Sequence, residues 1–173
     1  MRLAKPEGGR AALLLFICAA VAAPAQGMAE TLVATRLADM AQILRADLPR
    51  GGEACILWRH SVQGFEVADC YRNIDGALVL MHSHWPDAAA GLDHIPGRGR
   101  MLSDGAGGYV IADIQEAVPG NAYILRPGTM KVDHRLMLGD TIISLSAAAE
   151  HGRVRIALLP DQPPAPSALP TQP

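Results

Sequence analysis

The spacing of apolar residues changes along the chain. From Glu30 to Leu48 two patterns compete. Val33, Leu37, Met40 and Leu44 recur at helical spacing in a segment rich in Ala, Leu and Arg, whereas Thr31-Leu-Val-Ala-Thr35 reads as a short strand. Taken alone, the pattern leaves this segment open between helix and strand. Pro49-Arg-Gly-Gly52 then breaks the chain into a loop. Beyond it, short runs of β-branched and aromatic residues alternate with turn residues. Cys55–Ser61 and Phe65–Arg72 are predicted to form a hairpin that turns near Val62-Gln63. Asn73-Ile-Asp-Gly76 is a second turn, with Asp-Gly suited to positive φ, and Ala77–His84 a third strand.

Pro86 to Gly108 holds many glycines and prolines and is expected to be a long irregular connection, a kind of segment that is usually functional or mobile. Strands resume at Tyr109–Ile114 and Ala122–Arg126. A second hairpin is predicted from Lys131–Leu138 and Thr141–Ser146 around Gly139-Asp140, and Arg153–Leu159 is the last strand. Short strands at this spacing predict an all-β fold, an antiparallel β-sandwich or partly open barrel, in one domain over residues 30–159. No internal repeat is present.

The two ends differ from this middle. Arg2, Lys5 and Arg10 precede an apolar run from Ala11 to Ala23 and then small residues, the parts of a secretory signal peptide over residues 1–29. Cleavage after Ala25 or after Ala29 fits, and the second starts the mature chain just before strand-like sequence. The apolar run is shorter than the roughly 20 residues of a membrane span, which disfavours an uncleaved anchor. Ile17 stands before Cys18 where lipoprotein processing wants a small residue. Residues 160–173, rich in proline and with little to bury, are expected to form a disordered or polyproline-like tail. Loss of residues 1–29 takes away three cations and one anion, moving the formal charge from −2 to −4. A mildly acidic chain lacks the basic face that nucleic-acid binding requires.

Export also bears on the cysteines. Cys18 leaves with the leader, and Cys55 and Cys70 would face an oxidising compartment, where thiols pair. A hairpin turning near Val62-Gln63 sets them opposite one another, so a Cys55–Cys70 disulfide is predicted.

The candidate chemistry is sparse. His60-Ser61 suggests a base and nucleophile, but neighbouring strand residues point to opposite faces, and no Gly-x-Ser-x-Gly elbow accompanies them. A His-Ser pair bonded to backbone at a strand end is the plainer reading, and no catalytic residue is assigned. His82-Ser-His84 has the alternation that puts two imidazoles on one face. A third metal ligand would come from His60, Glu66, Asp69 or His94. Arg59, Arg72, Glu66 and Asp69 are candidates for a polar constellation on the hairpin. A direct His60–Asp69 pair needs a register that separates the cysteines, so the two pairings compete unless a bulge intervenes.

In order along the chain stand His60-Ser61-Val62, Asp69, Tyr71, Asp75-Gly-Ala-Leu-Val-Leu80, Ala89-Ala90-Gly91-Leu92 and His134-Arg-Leu136. This series, over about residues 31–159, resembles the bacterial domain-of-unknown-function family numbered 1850. The resemblance implies a strand-rich domain and turns the segment before Pro49 toward strands. Asp69 stands where the family usually carries Glu, and Ala89 where it has Gly; the paired cysteines look particular to this chain. The resemblance carries no established activity or cofactor. Its members are often encoded beside permeases of tripartite (TRAP-type) transporters with TAXI-class solute receptors, which implies a periplasmic accessory protein of solute uptake, by association only. The functional expectation is therefore an exported binding protein. Its patch is drawn from His60, Ser61, Val62, Asp69, Tyr71 and Ala90-Gly91-Leu92, and its partner is a permease or solute receptor of that transporter class. The alternative is a metal-dependent or hydrolytic periplasmic enzyme using His60, His82 and His84, which calls for those three histidines in one cleft.

Overall fold

The structure, a computed structural model, describes residues 30–86 and 95–160. The leader with its cleavage sites and Cys18, the Ala89-Ala90-Gly91-Leu92 segment, His94 and the proline-rich tail lie outside the described residues. Among those described, strands dominate, and two antiparallel sheets face each other across one core. One sheet has the order β2-β1-β12-β9, from Gln42–Leu48, Glu30–Arg36, Val154–Leu159 and Ala122–Leu125. The other runs β11-β10-β3-β4-β5-β7-β6, from Thr141–Ser144, Arg135–Leu138, Glu53–Arg59, Glu66–Ile74, Ala77–Trp85, Tyr109–Ala112 and Arg100–Ser103. The short β8, Glu116–Ala117, also pairs with β5. The sheets do not close into a barrel, so the sandwich is the correct member of the predicted pair.

The segment before Pro49 forms strands because its helical spacing has no common face to bury. Val33 is buried in β1, yet Met40 is 67% exposed at the β1–β2 turn, with a positive φ of 60°. Alternation serves instead. Leu32 and Ala34 of β1 join Leu48, Val154, Ile156 and Leu158 of their own sheet against Ala54, Ile56, Leu78 and Leu136 of the other.

The first hairpin turns where its residues predict. β3 and β4 pair from Glu53↔Arg72 to Arg59↔Glu66, with Cys55 opposite Cys70. Asp75 and Gly76, at φ 51° and 87°, make the tight turn into β5. The β4–β5 register contains one irregularity: Cys70 faces His82 but Tyr71 faces Leu80, so Met81 is an extra residue on β5. Its carbonyl accepts a hydrogen bond from the Ile114 N–H at 3.0 Å, giving the bulge a partner outside the ladder. Leu78 and Leu80 point into the sandwich before the bulge, and Ser83 and Trp85 after it.

Several boundaries depart from the sequence expectation. Arg100–Ser103 is strand β6 inside the stretch expected to be irregular, supported by pairing with β7. β3 ends at Arg59, so His60 and Ser61 belong to the turn and not to a strand. The second hairpin starts at Arg135, because Lys131 and Val132 lie in a turn closed by the Val132 and Asp133 N–H groups on the Thr129 carbonyl. Its second arm stops at Ser144, which caps a short helix, α1 (Leu145–Ala149), by accepting the Ala147 N–H at 3.1 Å. Leu145 and Ala149 of that helix join the core between the sheets.

Candidate functional site

Asp69 sits at the centre of a polar cluster on the inner face of the larger sheet. Register places it between Ile56 of β3 and Ser83 of β5. The Ser83 hydroxyl donates to Asp69 Oδ1 at 2.5 Å, and the Trp85 indole N–H donates to Ser83 Oγ at 2.6 Å. Ser83 is buried, so this relay from indole to hydroxyl to carboxylate supplies its hydroxyl with both a donor and an acceptor. Tyr71, two residues along β4 on the same face, stacks on Tyr123 of β9 with ring centroids 5.3 Å apart. The two phenols share a hydrogen bond. Burial, and then the negative charge of Asp69, push the Tyr71 hydroxyl above the usual phenol range. Burial raises Tyr123 further, with Tyr71 and Asp69 adding to it. Both hydroxyls are therefore neutral donors and acceptors at physiological pH.

Beside the tyrosines lies a groove of about 320 Å³ lined by Tyr71, Leu80, Arg98, Glu116 and Tyr123. Arg98 holds Glu116 through two bonds of 2.8 and 2.7 Å, which lowers the Glu116 pKa, and it also feels the charge of Asp69. The groove thus combines an aromatic wall and an apolar floor with a rim already neutralised by the Arg98–Glu116 pair, a combination suited to an apolar ligand or partner side chain.

His60 and His134, two further residues of the family resemblance, stand in a row of rings with Trp58 and Phe65. His60 stacks on Phe65 at 5.2 Å and lies 6.4 Å from Trp58, which stacks on His134 at 5.9 Å. The His60 Nδ1 accepts the Gln63 N–H at 3.2 Å, so this imidazole secures its own turn. It does not pair with Asp69. The cysteine register prevails in the first hairpin, and Asp69 turns to Ser83 instead. Ser61 and Val62 are exposed in the turn, Val62 by 80%. The expected constellation of Arg59, Arg72, Glu66 and Asp69 is not assembled: Arg59 pairs with Asp133 at 3.6 Å, Arg72 with Glu53 at 2.9 Å and Glu66 with Arg135. His82 and His84 share a face as their spacing predicts, but it is the outer one, away from Trp58. There His84 Nε2 meets Asp104 at 2.9 Å.

His134 carries a pH signature. Burial lowers its pKa against the opposing pull of Asp133 and Asp69, and its Nδ1 accepts the Gly128 N–H at 3.1 Å. The unfolded chain therefore takes up this proton more readily than the folded one. The stability tied to the neutral ring is complete above the unfolded pKa of about 6.5 and is lost as pH falls through the lower folded value. The melting temperature is expected to drop between about pH 7.5 and about pH 5, and His134→Gln to flatten that drop. Parallel slopes for the two proteins would refute it.

Sequence reasoning missed Ser83, Trp85, Arg98 and Tyr123. Ser83 lies between the two histidines that drew attention, and alternation alone turns it away from them. Arg98 and Tyr123 come to Asp69 from distant segments with no local signal. Together these features define a two-sheet, all-β sandwich with a carboxylate cluster inside and a disulfide outside. The chain belongs to the family described as Domain of unknown function (DUF1850), whose family model matches residues 55–145, just over half the chain. That range takes in most of the larger sheet with Asp69, Ser83 and Trp85, and leaves β1, β2 and β12 outside. No curated protein and no solved structure matches the chain.

Proposed function

We propose that the protein is an exported, periplasmic accessory protein that works by binding, and that it docks on a permease or solute receptor of a TRAP-type (TAXI) transporter through the Asp69 cluster and its groove. The observation that carries the reading is the tyrosine-lined groove beside Asp69, whose wall the part-buried Trp85–Ser83–Asp69 relay holds in place. Its groups are fixed donors and acceptors, which favours recognition over chemistry. Export is supported by the leader-like sequence of residues 1–29 and by the Cys55–Cys70 disulfide, a bond suited to an oxidising compartment. Among the described residues no helix is long and apolar enough to cross a membrane. The transporter class comes from the gene neighbourhood that the family resemblance implies.

The enzyme alternative needs His60, His82 and His84 to converge. His60 stacks in the Trp58 row, while His82 and His84 face outward from β5, an arrangement that favours binding. The test is recovery of partners from membranes under mild crosslinking, with tagged wild-type protein and Asp69→Asn. Asparagine keeps an acceptor for Ser83 and removes only the charge. Wild type is expected to recover a permease or solute receptor, and the variant at least about tenfold less, the scale of losing one central buried contact. Recovery of neither by wild type, or equal recovery by both proteins, would refute the reading.

A further inference from the structure

The outer face of the larger sheet holds a second cluster, independent of the Asp69 site. Register places Cys55 opposite Cys70 and Cys70 opposite His82, so three metal-ligating residues stand in one row across β3, β4 and β5. Glu53 lies on the same face two residues before Cys55. A Glu53 carboxylate oxygen, Cys70 Sγ and a His82 ring nitrogen lie within 4.8 Å of one another. Cys55 Sγ is bonded to Cys70 Sγ. As half of a disulfide the Cys70 sulfur is a poor donor; it marks where a thiolate would stand in the reduced protein. Tetrahedral zinc with bonds of about 2.0–2.3 Å needs ligand atoms roughly 3.3–3.8 Å apart, so Glu53, Cys70 and His82 would have to close by about 1 Å, while Cys55 Sγ, outside that group, would have to part from Cys70 Sγ and swing toward it once the bond is reduced.

We infer that this cluster is a redox-gated site for a thiophilic divalent ion of the zinc class: closed to metal while Cys55 and Cys70 are joined, and opened by a dithiol reductant. The chemistry balances. A dithiol attacks one sulfur and passes through a mixed disulfide. Two electrons reach the cystine, two protons end on Cys55 and Cys70, and the reductant leaves as its own disulfide. The metal ion then displaces both thiol protons and binds two thiolates, the His82 imidazole and the Glu53 carboxylate. Two thiolates and a carboxylate exceed the charge of a divalent ion by one, and Arg72, 2.9 Å from Glu53, is placed to balance it. Cys55 and Cys70, buried residues at 3% and 5% exposure, give the softer half of the site a low-dielectric setting. A groove of about 450 Å³ lined by Arg72, Met81, His82 and His84 runs alongside and gives an ion a way to His82. In the disulfide form only Glu53 and His82 remain as donors, too few for a closed zinc site.

The full-length protein is reduced with dithiothreitol, freed of reductant without oxygen, and titrated with cobalt(II) and then zinc(II). One equivalent of cobalt is expected to bind with a thiolate-to-cobalt charge-transfer band and tetrahedral visible bands, and zinc to displace it. The oxidised protein is expected to show neither. His82→Ala and Glu53→Gln should each weaken binding at least about tenfold, since even residues that only support a ligand cost that much. His84→Ala should leave it unchanged, because that imidazole serves Asp104. If reduction unfolds the chain, zinc should restore the β-sheet circular dichroism. The inference is overturned by a reduced protein that binds no cobalt, or binds it without the charge-transfer band. It is equally overturned by affinity indifferent to His82 and Glu53, by losses in His84→Ala as large as those in His82→Ala, or by an unfolded reduced chain that zinc does not refold.

Discussion

Asn73→Ala is expected to destabilise the protein by about 4 kcal/mol, enough to lower its melting temperature by roughly 15 °C. Asn73 is fully buried, and its amide serves three partners at once. Nδ2 donates to Glu30 at 2.9 Å and to the Leu48 carbonyl at 2.7 Å, and Oδ1 accepts the Gly76 N–H at 2.9 Å. Glu30 and Leu48 belong to the smaller sheet and Gly76 to the β4–β5 turn of the larger one, so one side chain joins the two layers. Alanine leaves the buried Glu30 carboxylate and Leu48 carbonyl and the part-buried Gly76 N–H without this partner, and each buried group so stranded costs about 1–3 kcal/mol. The hydrogen bond from Asn73 is also the first cause of the lowered Glu30 pKa, ahead of a backbone bond and the charge of Arg50. In the variant the Glu30 carboxyl should therefore titrate closer to the ordinary range. Thermal or urea unfolding measures the first effect and carbon-detected NMR titration the second. A loss below about 1 kcal/mol would mean that Asn73 does not join the sheets.

Replacing both cysteines, Cys55→Ala with Cys70→Ala, is expected to cost about 3 kcal/mol, the scale set by a cross-link closing a loop of about 15 residues. The two positions are 15 apart in sequence, and their Cα atoms are 4.1 Å apart as directly opposed residues. The hairpin already has its register from seven facing pairs, so the bond acts mainly on the unfolded chain. The small void left by two sulfurs at buried positions adds a lesser term. The double variant should keep the β-sheet circular dichroism while its urea midpoint falls. A midpoint within error of wild type would show that the unfolded hairpin is already closed without the bond. The same variant, lacking both thiolates, should bind no cobalt after treatment with reductant.

Residues near each other in sequence made parts of this molecule legible before any pairing was known. The Asp75-Gly76 turn rests on two adjacent residues that tolerate positive φ. The placing of Cys55 opposite Cys70 follows from counting outward from Val62-Gln63, because antiparallel strands joined by a short turn have one register. The candidate site was legible only in part. Asp69 and Tyr71 stood out through the family resemblance, and they are two residues apart on one strand face. Their partners Ser83, Trp85, Arg98 and Tyr123 carried no such mark. The helical spacing of Val33, Leu37, Met40 and Leu44 left that segment open until the family resemblance turned it toward strands, since spacing counts apolar residues without knowing whether a core will cover them all.

The chain alone determined the strand content, the first two turns and the facing cysteines, because alternation and turn preference act over a few neighbouring residues. Tertiary structure decided the faces after Met81. Simple alternation along β5 would carry Leu78 and Leu80 on to His82 and His84 inside the sandwich. The extra residue reverses the order, so the histidines face out and Ser83 and Trp85 face in toward Asp69. What holds that bulge is the N–H of Ile114, more than thirty residues away, and a contact of that range is encoded in no local pattern.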